Sequence, residues 1–281
     1  MWSQHSQFLL GNVRNELRDG KYEEIMGFHS KPRVENESNC IQTICRPPPL
    51  LRQPSTLSSL STLSSLSSLR SFSALHSFKS LTGVFLTHLC NLTQLSLSAV
   101  PIAASGPGVI LYNLKNLRSL TISQVNLTGY LPKHWHYYTN LSYLDLSFNN
   151  LTGKIPTSLT QLENLQVLNL SSNGLAGEIP SSIGVLSSLQ NLSLSANSLS
   201  DSLAAIPSLV YLDLGRNKFN GSIPKFIADM TELRYLNLEK NDFNGIMPFN
   251  ASFIKRMEVF KIGGNANPFY NHSIFFYPDR D

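Results

Sequence analysis

Six asparagines recur on one register through the second half of the chain. Successive members are 24 residues apart, except for one step of 20 residues, and they stand at Asn149, Asn173, Asn197, Asn217, Asn241 and Asn265. Each follows, by five residues, a leucine or phenylalanine that opens an alternating L-x-L core. Self-similarity at such a period indicates a solenoid, in which each repeat buries its apolar face only against its neighbours.

The repeats align on the first residue of the L-x-L core. Units spaced by 20 to 25 residues then begin at Leu95, Leu120, Leu144, Leu168, Leu192, Leu212, Leu236 and Phe260. The alternation at positions 144–146 predicts a short strand whose apolar side chains face the core. Where the strand ends, the asparagine amide is expected to satisfy backbone groups that the turning chain leaves unpaired. Stacking of the repeats would then arrange these amides in a ladder.

The second half of the repeat carries a glycine. An apolar residue follows this glycine by two positions, and a proline follows it by three. This signature begins at Gly129, Gly153, Gly177, Gly221 and Gly245. Glycine permits tight bends and proline cannot donate to a strand pair. This half is therefore predicted to cross the convex side as turns rather than as a long helix.

Together, these features resemble the plant-specific class of leucine-rich repeats, found in plant receptor-like kinases, receptor-like proteins and polygalacturonase inhibitors. The likeness extends from about Leu92 to Asn265. It implies an α/β-type repeat solenoid: a curved array with short parallel strands on its concave face and turns or short helical segments on its convex face. Since the kinase motifs are missing from the sequence, the resemblance is to kinase-less receptor-like proteins, apparently truncated at both ends.

Four segments are predicted from the extent of the repeats. Residues 1–56 form a non-repeat leader, either the remnant of a cap or a disordered stretch. Residues 57–91 are either low-complexity Ser/Leu sequence or eroded first repeats, and Phe72, 23 residues before Leu95, favours eroded repeats. Residues 92–265 are the plant-type repeats, and residues 266–281 are a short tail. The unit from Leu192 is four residues short, and the loss is expected on the convex side.

The chain has three cysteines. The resemblance implies a disulfide-bearing cap before the first repeat, of which Cys40 and Cys45 would be a remnant; the alternative is a loosely ordered leader. Cys90 then lacks a partner and is expected to be a small core residue. The resemblance also implies a cysteine next to the tyrosine of a Y-N-H-S segment. Phe269 precedes Tyr270 instead, so a disulfide cap is not expected at this end.

Hydrophobic runs bear on the compartment of the chain. Near the N-terminus the longest apolar run is residues 8–10, whereas a secretory signal needs about 7–15 consecutive apolar residues. No run approaches the roughly 18 apolar residues of a membrane span. The sequence therefore predicts neither a signal peptide nor a transmembrane segment, although the resemblance implies the plasma membrane or cell surface.

Ten N-x-[ST] sequons occur in the sequence. In a secreted protein they are glycosylation acceptors; the alternative is that they arise from a repeat consensus rich in Asn, Leu, Ser and Thr. Asn169 and Asn191 are expected on the strand face. The favoured acceptors are Asn126, Asn150, Asn220 and Asn250.

No catalytic or metal-binding constellation is recognisable in the sequence. Charged residues make up 14% of it and the net charge is +4, without the dense Lys and Arg clusters typical of nucleic-acid binding. His134 and His136 come closest to a metal site, but no third ligand is recognisable near them, and Trp135 is expected to pack in the core. We therefore predict no enzymatic activity, no metal, no cofactor and no nucleic-acid partner.

The outward positions of the predicted strands indicate where a partner would bind. These positions are mostly Ser and Asn in the middle repeats, whereas the C-terminal repeats gather the tyrosine and arginine that most often anchor interfaces. The partner-binding candidates are Tyr143, Asp145, Tyr211, Asp213, Arg216, Arg234, Tyr235, Glu239 and Lys240. The alternative is that alternating charges only keep an exposed sheet soluble.

The resemblance implies a non-catalytic recognition module. This would be a receptor-like ectodomain that binds a peptide, glycan or co-receptor on its concave face, in defence or developmental signalling. Its partners would be a protein or peptide ligand and a kinase-bearing co-receptor. The alternatives are a secreted enzyme inhibitor of the polygalacturonase-inhibitor type and a truncated product without a stable role.

Overall fold

The computed structural model describes residues 69–76, 81–82, 89–100, 102–103, 106–200 and 204–265. The predictions about the leader, about Cys40 and Cys45, and about the tail at residues 266–281 lie outside the described residues.

One parallel sheet runs the length of the described chain, and each repeat contributes one strand to it. Its strands are β1 (Ser71–Leu75), β3 (Gln94–Ser98), β5 (Ser119–Ser123), β7 (Tyr143–Asp145), β9 (Val167–Asn169), β11 (Asn191–Ser193), β13 (Tyr211–Asp213), β15 (Tyr235–Asn237) and β17 (Val259–Lys261). The opening residues of successive repeats pair with each other, as Leu212 does with Leu236. Phe72 in β1 pairs with Leu95 in the same way. The predicted solenoid of short parallel strands is therefore confirmed.

Further parallel strands form where the sequence predicts only turns. β6 (Thr128–Tyr130), β8 (Asn150–Gly153), β10 (Gly174–Gly177) and β12 (Ser198–Leu199) make one sheet; β14 (Asn220–Ser222) pairs with β16 (Asp242–Asn244), and β2 (Leu81–Thr82) with β4 (Ile102–Ala103). The proline does not prevent this pairing because it follows the strand: β8 ends at Gly153 and Pro156 comes after it. Gly153 adopts a φ of 79° at the end of β8, a conformation that glycine adopts readily.

Short helical segments complete the repeats, as the resemblance implies. In the part of the chain that the structure describes, they are the α-helices α1 (Pro107–Leu111) and α2 (Ala251–Arg256) and the 3-10 helices Trp135–Tyr137, Thr157–Gln161, Ser181–Val185 and Lys225–Asp229. Asn250 caps α2, since its side chain accepts a hydrogen bond of 2.8 Å from the Phe253 N–H. This is the usual role of an asparagine before a helix.

The leucines of all repeats form one continuous core between the main sheet and these outer segments. Trp135 is fully buried in it. The prediction that Cys90 is a core residue is wrong, because its side chain is exposed. Leu89 and Leu92 point into the core on either side of a turn that contains Cys90.

The shortened repeat keeps its strand in register and loses outer structure. Leu192 still pairs with both Leu168 and Leu212. In the described part of this repeat, no 3-10 helix stands between β12 and β13. The chain instead passes close to the preceding repeat, where a Cβ added to Gly184 would lie 2.7 Å from the carbonyl oxygen of Ala205. Gly184 therefore allows the backbone of the short repeat to approach.

Candidate recognition surface

The asparagine amides lie at the ends of the main-sheet strands and join neighbouring repeats. Oδ1 of Asn149 accepts hydrogen bonds from the N–H groups of Val125 (3.2 Å) and Leu127 (3.0 Å) in the preceding repeat. Its Nδ2 donates to the carbonyls of Ile122 (2.7 Å) and Leu146 (3.0 Å). The side chain therefore replaces the sheet partners that these backbone groups lack.

The other asparagines on this register repeat the arrangement. In each, Nδ2 donates to one or two carbonyls of its own repeat and to one of the preceding repeat, while Oδ1 accepts from an N–H of the preceding repeat. These side chains are Asn173, Asn197, Asn217, Asn241 and Asn265. Every repeat from 149 onwards is thus bonded to the one before it by a buried or half-buried amide.

The residue immediately before each of these positions has a left-handed backbone. The φ values are 55° at Phe148, 57° at Arg216 and 55° at Lys240, and Ser172, Ala196 and Gly264 are also left-handed. Ala99 and Gln124, which precede the valines at the same register of the first two repeats, share this conformation. The N–H of Arg216 donates to the Glu239 carbonyl at 2.7 Å, and that of Lys240 to the Gly263 carbonyl at 2.9 Å. Two of the partner-binding candidates are therefore held at a turn whose backbone is fixed by the next repeat.

Tyr211 and Tyr235 lie side by side on the main sheet. They are paired residues of β13 and β15, and their rings stack with centroids 4.0 Å apart and an interplanar angle of 17°. Tyr143 lies on the same outward column but three strands from Tyr211, which is about 14 Å at the usual spacing of strands. The structure thus brings two of the three candidate tyrosines into contact and leaves the third apart.

Asp145 and Asp213 are less exposed than their outward register suggests. Oδ1 of Asp145 accepts the Ser147 N–H at 2.9 Å, and Oδ1 of Asp213 accepts the Gly215 N–H at 3.0 Å. Asp213 is only 9% exposed as a result. Asn169 and Asn237, on the same column, make the equivalent bond to the residue two positions on. This column therefore stabilises the turns after the strands, a role that sequence reasoning missed.

Burial shapes the ionisation of these side chains. It raises the pKa of both Asp145 and Asp213, while hydrogen bonds lower it in part, from Ser147 in one case and from Gly215 and Ser195 in the other. Burial, followed by the charge of Asp145, raises the pKa of Tyr143 to about 12.

The stacked tyrosines are shifted in the same direction. Burial raises the pKa of both Tyr211 and Tyr235, and the charge of the Asp213 carboxylate raises it further. Side-chain hydrogen bonds with Tyr235 and Asp213 also raise the pKa of Tyr211, and those with Tyr211 and Asn237 lower the pKa of Tyr235 in part, so both hydroxyls have polar neighbours within the surface.

The charged candidates divide into two kinds. Arg216 forms a loose ion pair with Glu239, with 3.9 Å between Nε and Oε1. Nη1 of Arg234 donates instead to the carbonyls of Thr231 (2.7 Å) and Leu233 (3.1 Å), so this guanidinium braces its own repeat. Lys240 is exposed and forms no ion pair with any described residue. The central cluster of the candidate surface, Tyr211, Tyr235, Asp213, Arg216 and Glu239, is called the tyrosine cluster below.

The favoured glycosylation acceptors are all exposed and lie off the main sheet. Asn126 precedes β6, Asn150 opens β8 and Asn220 opens β14. The exposed cap residue Asn250 uses its side-chain oxygen within the structure. Asn169, by contrast, is buried in β9.

His134 and His136 lie on the outer side of their repeat, with ring centroids 5.8 Å apart. Within the described part of the chain, no three His, Cys, Asp or Glu side chains are grouped as metal ligands would be. Likewise, none of the helices in that part has the length and apolar character that crossing a bilayer requires.

Comparison with known families identifies the repeats. A family model described as Leucine rich repeat matches residues 115–175 and 139–199, and a second, Leucine Rich Repeat, matches residues 208–230. No curated protein matches the chain in sequence.

Several solved structures share the fold. The complex of PEPR1 with AtPEP1 is 31% identical, covers 64% of this chain and 26% of the PEPR1 chain, and has a TM-score of 0.59. The Arabidopsis receptor kinase HAESA, solved with the peptide hormone IDA and the co-receptor SERK1, is 30% identical over 71% of this chain and 34% of that chain, with a TM-score of 0.60. A leucine-rich repeat protein of Leptospira interrogans is 30% identical over 71% of this chain and 50% of that chain, with a TM-score of 0.59.

These alignments cover only part of each relative. The chain spans about a quarter of the PEPR1 chain and about a third of the HAESA chain. What the chain has in common with them is the stacked repeat and its parallel sheet.

Proposed function

We propose, on the premise that the chain belongs to the plant leucine-rich repeat receptor-like proteins, that it is a non-catalytic recognition module which binds a peptide through the tyrosine cluster. The repeat array and its receptor-ectodomain relatives support a binding module rather than an enzyme. HAESA was solved with a peptide hormone and a co-receptor, which supports partners of these two kinds.

The stacked pair of Tyr211 and Tyr235 is the observation that carries the proposal. Two half-buried rings held 4.0 Å apart by paired strands lose little side-chain freedom when a ligand binds. The rings offer apolar faces, and the neighbouring Arg216 and Glu239 supply one charge of each sign. Tyrosine and arginine in such a setting are the residue types that dominate binding energy.

An extended peptide suits this surface because the main sheet presents one side chain per repeat at intervals of about 4.8 Å. A peptide lying across β13 and β15 would contact both rings, with its polar groups facing the hydroxyls. A co-receptor that recognises peptide and solenoid together would then bring the kinase that signalling requires.

The test selects binders from a random peptide library displayed on phage against the immobilised chain. Peptides that emerge are synthesised, and their affinities are measured for the wild type and for a Tyr211→Ala/Tyr235→Ala double variant. We expect the double variant to bind at least about tenfold more weakly, since each lost anchor costs more than about 1 kcal/mol.

A Tyr112→Ala/Tyr137→Ala variant is the matched control, because it removes two exposed rings from the outer side of the repeats. It should bind the peptides as the wild type does. Thermal melting checks that both variants stay folded. Equal binding by all three proteins, or a library that yields no binder, would overturn the proposal.

A further inference from the structure

Exposed aromatic rings are concentrated on the outer segments of two neighbouring repeats, away from the tyrosine cluster. Tyr112 is 73% exposed, Tyr130 72% and Tyr137 51%. Val109, in the same helix turn as Tyr112, is also exposed. Single exposed apolar residues are ordinary on a protein surface, but grouped ones mark interaction sites. The proposed peptide site uses none of these side chains.

Basic side chains lie among these rings. Nζ of Lys115 lies 4.7 Å from the centroid of the Tyr137 ring, which is the geometry of a cation–π contact. The His136 ring lies 4.0 Å from the same ring, centroid to centroid. Tyr112 precedes Lys115 by three residues, and Arg118, also exposed, follows it by three. These five side chains are called the aromatic–basic surface.

The sequence of these two repeats contains no acidic residue. Between Glu37 and Asp145 the sequence contains no aspartate or glutamate. The ion pair between Arg216 and Glu239 lies on the other surface. The two repeats that carry the aromatic–basic surface therefore contribute positive charge and no carboxylate, which favours an anionic partner.

We propose that the aromatic–basic surface binds an acidic polysaccharide, a polymer of uronate sugars. The apolar C–H face of a sugar ring stacks on an exposed tyrosine, while its carboxylate pairs with Lys115 or Arg118. The contact of Lys115 with the Tyr137 ring, with Tyr112 and Arg118 each three residues from that lysine in the chain, suits a polymer that offers both sugar rings and single charges.

Other polyanions fit this surface less well. Duplex nucleic acid carries one charge per about 1.7 Å and selects dense arrays of cations, whereas Lys115 and Arg118 are isolated by neutral residues. Binding to a membrane surface requires a continuous apolar face beside a cluster of basic residues. Here polar residues such as Asn113, Lys115 and Asn116 lie between the exposed rings in the chain, so no continuous apolar face is formed.

The experiment measures binding of the purified full chain to a defined-length oligogalacturonate by titration calorimetry. The same oligomer with its carboxylates methyl-esterified and a single-stranded DNA of equal charge are the comparison ligands. We expect the acid oligomer to bind, the ester to bind at least about tenfold more weakly, and the DNA to bind more weakly than the acid oligomer, with affinity falling as salt rises.

Two double variants with the same change in net charge complete the test. Lys115→Gln/Arg118→Gln should weaken binding of the acid oligomer by about tenfold or more, whereas Lys218→Gln/Lys225→Gln, at exposed cations of later repeats, should leave it within about twofold. Tyr112→Ala, at a ring too exposed to support the fold, should also weaken binding. The proposal is overturned by absence of binding, by equal affinity for the ester, by tighter binding of the DNA, or by equal losses in the two double variants.

Discussion

Single asparagines decide how one repeat is joined to the next. Asn149 is 7% exposed and bonds to backbone groups of two repeats, whereas the adjacent Asn150 is exposed on β8. The two residues are identical in type and differ only in the backbone groups that surround them. The contribution of an asparagine to stability is therefore a property of its register in the repeat.

This contrast gives a prediction within one dipeptide. Asn149→Ala leaves the N–H groups of Val125 and Leu127 without an acceptor, and each buried unpaired group costs about 1–3 kcal/mol. We expect a loss of about 3 kcal/mol in the free energy of unfolding, measured by urea titration. Asn150→Ala should cost less than about 0.5 kcal/mol, and equal losses would show that the amides do not hold the repeats together.

Other residue-level features could not be deduced from the sequence. Alternation correctly puts Asp213 on the outward column of its strand, but the direction of its carboxylate depends on the Gly215 N–H that the following turn supplies. The left-handed backbone at Phe148, Arg216 and Lys240 is equally hidden, because these residue types carry none of the signal that glycine would give. In both cases a hydrogen bond from a neighbour sets a conformation that local preference does not.

At the scale of elements, the strand register of the main sheet could be predicted from the sequence. The existence of the smaller sheets formed by β6, β8, β10, β12, β14 and β16 could not. The L-x-L spacing predicts that Leu144 pairs with Leu168, and it does. The strand β10 contains two glycines and little alternation, so nothing in residues 174–177 favours a strand. It forms because the neighbouring strand β8 offers its backbone groups at the right distance.

The shortened repeat gives a prediction at this scale. Gly184→Ala would place a methyl group 2.7 Å from the Ala205 carbonyl oxygen, and such overpacking costs about 1–3 kcal/mol. We expect a lower midpoint of urea unfolding for this variant. Gly108→Ala is the matched control, since a Cβ there meets no atom within 4 Å; a loss as large in the control would contradict the close approach of the short repeat.

At the scale of the whole molecule, repetition is what makes the fold readable. A register that recurs through the array averages out local irregularities such as Val125 in place of asparagine, so the solenoid and its strand order follow from spacing alone. The tyrosine cluster does not recur. Sequence reasoning placed Tyr211 and Tyr235 on one column, but the ring stacking and the bracing of Arg234 against Thr231 depend on side-chain packing.

The central claim is that partners bind on the main sheet at the tyrosine cluster, and hydroxyl-radical footprinting of tyrosine side chains tests it most directly. The chain is labelled with and without a selected peptide, and each tyrosine is read by mass spectrometry. We predict protection of Tyr211 and Tyr235 on binding, with Tyr112 and Tyr130, both more than 70% exposed, labelled equally in the two samples. Unchanged labelling of Tyr211 and Tyr235, with protection at Tyr112 or Tyr130, would contradict the account.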